Sequence, residues 1–115
     1  MKKIKYTPDA ADKLRAINSA ISAQYGKEKA KEIVSEIIKA IRGLVDNEKK
    51  GPSVEAMFDI PTNYRYLYVS RNYVFYDLED ECIRIINIYN EKEDFMWLLF
   101  GVETITEETV HYWRE

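Results

Sequence analysis

The sequence predicts an α+β domain: an N-terminal strand and a helical hairpin packed on an antiparallel β-sheet, with a C-terminal helix. Three observations predict it. Two adjacent stretches carry apolar residues at three-to-four spacing, as amphipathic helices do. Three later stretches are rich in β-branched and aromatic residues and are broken by turn signals. The order of these pieces is strand, helix, helix, three-stranded meander, helix.

Ile4-Lys5-Tyr6 reads as a short strand. Thr7-Pro8-Asp9 then offers a capping hydroxyl, a proline suited to the first helical position and an early carboxylate, so a helix begins at Pro8. Its stripe is Ala10, Leu14, Ile17, Ile21 and Tyr25, and Gly26 stops it. A second helix follows almost at once with Ala30, Ile33, Val34, Ile37, Ile38, Ile41, Leu44 and Val45, a face wide enough to pack between the first helix and a sheet.

From Asp46 to Asn63 the periodicity fails, and Gly51-Pro52 and Pro61 punctuate a loop that keeps Met57, Phe58 and Ile60 as candidate core covers. Tyr64–Val69 alternates Tyr64, Tyr66 and Tyr68 with Arg65, Leu67 and Val69. Ser70-Arg71-Asn72 is the expected turn into Tyr73–Leu78. Cys82–Tyr89 is apolar on both faces, Ile83 and Ile85 on one and Ile86 and Ile88 on the other, as in a central strand. Asn90-Glu91-Lys92-Glu93 reads as the capped start of a helix that runs through Phe100 to Gly101. Thr106-Glu107-Glu108 reads as the cap of one more short helix, ending near Trp113.

At 115 residues the chain has room for one domain, 1–115. Its longest apolar run, Phe95–Phe100, is far short of the roughly 20 residues that a membrane span needs. The first six residues lack the apolar core of a signal peptide. One cysteine, Cys82, permits no disulfide within the chain and fits a reducing cytoplasm; one histidine, His111, excludes two-histidine chemistry. No metal or other cofactor is expected, so any catalysis falls to Lys, Arg, Tyr or carboxylates. The net charge of −3 hides an asymmetry: residues 1–45 carry ten Lys/Arg against five Asp/Glu, and residues 46–115 carry seven against fifteen. A nucleic-acid target must therefore be met despite an acidic C-terminal half.

Tyr6-Thr7-Pro8-Asp9-Ala10, the hairpin from Tyr64 to Tyr76, and Ile85-Ile86-Asn87-Ile88-Tyr89 followed by Glu91-Lys92-Glu93-Asp94 together resemble the RelE/ParE superfamily of bacterial toxins, the poison half of type II toxin–antitoxin pairs. Arg65, Leu67 and Val69 at alternate positions, followed by the aromatic-rich Tyr73–Tyr76, match the family's hairpin. The resemblance implies a cognate antitoxin as partner. It also implies growth arrest, with cleavage of mRNA on the ribosome, as in the RelE-like branch, the expected action, and inhibition of DNA gyrase without nuclease chemistry, as in the ParE-like branch, the alternative. A third outcome is a degenerate member that keeps the fold and antitoxin binding alone.

For cleavage, the resemblance assigns catalytic parts to Arg65 and Lys92, with Tyr76 or Tyr89 as further participants, because such sites deprotonate a ribose hydroxyl and neutralise a phosphorane-like transition state. The pattern departs from the family in two places. Tyr73 or Val74 stands where a base is expected at the start of the second strand, and the usual late tyrosine falls near Leu98.

Each candidate also has a plain structural reading. Arg65 either anchors a phosphate or partner, or ends a strand paired with Asp77 or Glu79. Lys92 either meets a phosphate or is a solvated helix-start lysine among Glu91, Glu93 and Asp94. The Tyr64/Tyr66/Tyr68 stripe either stacks bases or packs a sheet. Arg71 reads as a turn residue, His111 as a surface or packing residue, and Cys82 as a small hydrophobe.

Overall fold

A computed structural model describes residues 2–101. The expected helix at 106–113, and His111 with it, lie outside the described residues.

The elements run β1 (Lys3–Tyr6), α1 (Pro8–Tyr25), α2 (Lys27–Gly43), α3 (Val54–Phe58), β2 (Arg65–Val69), β3 (Asn72–Leu78), β4 (Cys82–Asn90) and α4 (Phe95–Phe100). Thr7 caps α1 by accepting from the Ala10 N–H, and Pro8 opens the helix. Gly26, at φ 94°, turns the chain between α1 and α2, a backbone conformation that side-chain-bearing residues rarely adopt. Of the α2 stripe, Ala30, Ile37, Ile41 and Leu44 are fully buried.

The four strands form one sheet in the order β1-β4-β3-β2. β2, β3 and β4 are the antiparallel meander, and β1 adds to it in parallel beside β4, so the sheet is mixed. The β2–β3 connection is tighter than the sequence implied. Asn72 already pairs with Val69, leaving Ser70 and Arg71 as the two turn residues, with φ of 51° and 64°. Two consecutive positive φ values are what a twisted two-residue hairpin requires.

A bulge interrupts the β3–β4 register: Phe75 pairs with Asn87 but Tyr76 with Ile85, leaving Ile86 as the extra residue. Side-chain alternation is thereby re-phased. Ile88 joins Ile83 and Ile85 on the helix-facing side, where simple alternation had put it with Ile86. On that side Ile37, Ile41 and Leu44 of the hairpin meet Val74, Tyr76 and the three isoleucines.

The opposite face of the sheet is also covered, by α3, α4 and the segment between α3 and β2. Its core is aromatic: Phe75 lies 5.2 Å from Phe95 and 5.7 Å from Phe100, and Phe58 lies 5.5 Å from Phe95. The helix α3 falls within the stretch expected to be a loop. Ser53 caps it by accepting from the Ala56 N–H, and Asp59 ends it at φ 56°. Of the expected covers, Ile60 is buried and Phe58 half-buried, but Met57 is 58 % exposed. Among the described residues, no helix is long and apolar enough to cross a membrane.

Candidate functional site

Arg65 and Tyr76 are direct partners across the β2–β3 pair, and both hold the same loop. The Arg65 Nη1 donates to the carbonyls of Gly51, at 2.7 Å, and Lys49, at 3.5 Å. The Tyr76 hydroxyl donates to the Glu48 carbonyl at 2.9 Å and accepts from the Gly51 N–H at 3.0 Å. Neither carboxylate expected beside Arg65 takes that place. Glu79 is gripped instead by Arg84 through two bonds of 2.7 and 3.0 Å. Those bonds and one from the Cys82 thiol hold the Glu79 carboxyl at about 2, well below the usual range.

Tyr89 projects from the other side of the sheet, into the aromatic core. Its hydroxyl accepts from the Asn87 amide at 3.0 Å, and Lys13 of α1 sets its ammonium 5.1 Å from the ring centroid while bonding Glu93 at 2.8 Å. Lys13 is a neighbour that sequence reasoning missed, because nothing in α1 signals contact with a strand-end tyrosine far along the chain. Burial pushes the phenols of both Tyr76 and Tyr89 up from their ordinary value of 10. Both therefore keep their protons at neutral pH, the wrong direction for a general base.

Lys92 sits in an exposed turn after β4, and the expected helix start at Asn90 is displaced. The Asn90 side chain accepts from the Lys92 N–H at 3.0 Å, the Glu93 N–H bonds the Asn90 carbonyl at 2.9 Å, and the Glu93 carboxylate reaches back to the Asn90 N–H at 3.2 Å. These groups close a turn, since Asn90 is still paired with Asn72 in the sheet. The helix proper begins at Phe95 under Asp94, whose side chain accepts from the Trp97 N–H.

Lys92 thus lies beyond the hairpin end of the sheet, whereas Arg65 and Tyr76 lie four residues further along β2 and β3, roughly 13 Å at strand rise. Of the four candidates, only Arg65 and Tyr76 come together. The tyrosine stripe divides as well: Tyr66 is buried and Tyr64 half-buried in the aromatic core. Tyr68, 52 % exposed, bonds Glu91 and packs 5.0 Å from Tyr73.

The same hairpin end faces an open groove of about 730 Å³, walled by the C-terminal half of α1, the start of α2, the Ser70–Asn72 turn and the Asn90–Glu93 turn. Ser70 ties the turn to α2 by donating to Glu36 at 2.6 Å.

This fold is that of the RelE/ParE-type toxins. The chain is similar to a solved chain of the chromosomal ParDE toxin–antitoxin system of P. aeruginosa, with 24 % identity over 78 % of this chain and 96 % of that one and a TM-score of 0.67. It also resembles a chain of the E. coli DinJ–YafQ complex, with 15 % identity over 88 % of this chain and 100 % of that one and a TM-score of 0.52. No curated protein matches it. The family described as ParE toxin of type II toxin-antitoxin system, parDE, matches residues 4–95, and the chain belongs to that family.

Proposed function

We propose that this toxin arrests growth by binding a protein, with DNA gyrase the target that its family resemblance names, and that a cognate antitoxin neutralises it. The observation that carries this reading is the dispersal of the groups a ribonuclease would need. Arg65 and Tyr76 are committed to backbone groups of the 48–51 loop, Tyr89 lies in the opposite core, and Lys92 stands apart beyond the end of the sheet. Binding requires no such constellation. Similarity to chains solved within toxin–antitoxin systems supports the antitoxin as partner.

Ribosome-dependent mRNA cleavage is the second reading, favoured by the gathering of Tyr68, Arg71 and Lys92 at the hairpin end. Its weakness is Glu91 in their midst, which bonds Tyr68 and pairs with Arg71 at 4.0 Å and so opposes a phosphate there. Purified chain added to a gyrase supercoiling assay and to ribosomes translating a defined mRNA separates the two. Supercoiling falls and the message stays whole if the protein acts by binding; cut message with normal supercoiling overturns the reading.

A further inference from the structure

One exposed flank of α2 is cationic, and it is not the flank that walls the hairpin-end groove. Residues four apart share a helix row, so Lys27, Lys31, Ser35 and Lys39 form an exposed line along α2, and Arg42 continues it within a turn. From Lys27 to Arg42 this line spans roughly 22 Å at helical rise. The adjoining row holds Glu28, Glu32 and Glu36, and two of these are drawn the other way. Glu32 pairs with Lys29 at 3.7 Å, and Glu36 accepts from Ser70 at 2.6 Å. Lys29 and Ser70 both line the hairpin-end groove. Among the described residues, no carboxylate lies within ion-pair reach of Lys27, Lys31, Lys39 or Arg42.

Beside this line, α1 and α2 leave a shallow open depression of about 310 Å³. Its walls are Leu14, Arg15 and Asn18 from α1 and Lys31, Val34 and Ser35 from α2. Two cations, an amide and a hydroxyl thus line it with no carboxylate among those walls, although Asp12 pairs with Arg15 from one turn away. Donors of this kind suit phosphate oxygens. No aromatic ring stands among these walls or in the cation line, so unstacked bases find no platform there. The straight row matches instead the regular backbone of a duplex, one strand of which presents about six phosphates over roughly 22 Å.

We propose that this face of the helical hairpin binds the phosphate backbone of duplex DNA without regard to sequence, through Lys27, Lys31, Lys39 and Arg42, with Arg15 across the depression from Lys31. The charge asymmetry of the chain then has a use. Residues 46–115 carry seven Lys/Arg against fifteen Asp/Glu and repel a duplex, so the helical side is the one that meets it. The proposal goes beyond the reading of a protein target and does not depend on it, because DNA binding is measured with no gyrase present.

The test is fluorescence anisotropy of a labelled DNA duplex of about 20 base pairs, titrated with the purified full chain at several salt concentrations. The wild-type chain is expected to bind with a Kd of about 1–10 μM near 50 mM salt. Its log K should fall against log salt with a slope of about −3 to −4, since each phosphate neutralised releases about 0.9 counterion. Lys31→Glu with Lys39→Glu is expected to weaken binding about tenfold or more and to flatten that slope by about 2. The thermal melt should stay near wild type, because both positions are exposed. Lys31→Glu alone is expected to weaken binding about threefold or more. Lys29→Glu, the same reversal on the other flank of α2, should bind within about twofold of wild type. A wild-type chain that does not bind the duplex near 50 mM salt, or a double variant that binds it as tightly as wild type, overturns the proposal. So does Lys29→Glu if it falls as far as Lys31→Glu, for then net charge and not this face draws the duplex. A single-stranded RNA of the same length that binds more tightly and displaces the duplex assigns the face to RNA and overturns the proposal as well.

Discussion

Thr7 joins the first helix to the far strand. Its hydroxyl accepts from the Ala10 N–H at 3.1 Å and donates to the Ile86 carbonyl at 2.6 Å, across 79 residues of sequence. One oxygen thus caps α1 and satisfies the backbone at the β4 bulge. Thr7→Ala removes both bonds and is expected to cost about 2 kcal/mol, with the Ile86 carbonyl left without its donor. Thr7→Ser keeps the hydroxyl and is expected to recover most of that. Urea denaturation of the two variants measures the difference; equal midpoints would show that the hydroxyl contributes nothing.

Gly51 admits no side chain. A Cβ there would lie 2.7 Å from the Tyr76 hydroxyl and closer still to the Tyr66 carbonyl oxygen, and the backbone atom cannot step aside. Gly51→Ala is expected to lower stability by about 1–3 kcal/mol through overpacking. Tyr76→Phe, which strips the Glu48 carbonyl and the Gly51 N–H of their partner, should cost about 1–3 kcal/mol as well. Because both act on one loop, the double variant should fall short of the sum, and chemical denaturation of all three tests this.

Glu79 carries a pH signature. Its carboxyl is held at about 2 in the folded chain against an ordinary 4.5, so its contribution is fully present above pH 4.5 and is lost as pH falls toward 2. Glu79→Gln should therefore be less stable than wild type at neutral pH, the gap closing on acidification until the two melt alike near pH 2. A gap that stays constant across this range would mean that the Arg84 pairing does not set the shift.

Arg71 holds a left-handed backbone conformation at φ 64° next to Ser70 at 51°. Glycine adopts that conformation without the penalty of a side chain, so Arg71→Gly is expected to raise stability by about 0.5–1 kcal/mol despite losing a 4.0 Å ion pair that is largely exposed on the arginine side. A lowered midpoint would show that the ion pair outweighs the backbone.

The fold was legible where its signals are local. Thr7-Pro8-Asp9 announces α1, Gly26 separates the two helices, and the Ile37/Ile41 stripe marks the buried side of α2, because each depends on neighbours within a turn or two. Features set at a distance were hidden. Simple alternation misplaced Ile88 because a bulge is a property of the β3–β4 pair, and β1 carries no mark of its parallel partner. The candidate site was legible as residues but not as contacts. Arg65 stood out as a strand arginine, yet its acceptors are main-chain carbonyls, which every residue carries and no sequence pattern distinguishes. Asn90–Glu93 carries the same letters whether it opens a helix or closes a turn, and pairing of Asn90 with Asn72 decides for the turn.

The parallel seat of β1 beside β4 also sets a clock. Synthesis runs from the N-terminus at about 5–20 residues per second, so roughly 4 to 16 s pass between the appearance of Thr7 and that of Ile86, 79 residues later. Throughout that interval β1 has no neighbour to lie against, and β3 lacks the strand that will separate it from β1. The helical hairpin can form early from its own local contacts, but the Asn90–Glu93 wall of the groove does not yet exist. A nascent chain can therefore spend its first seconds with its helices formed and its sheet unfinished, and any surface that includes the Asn90–Glu93 turn is completed only after the last strand has emerged.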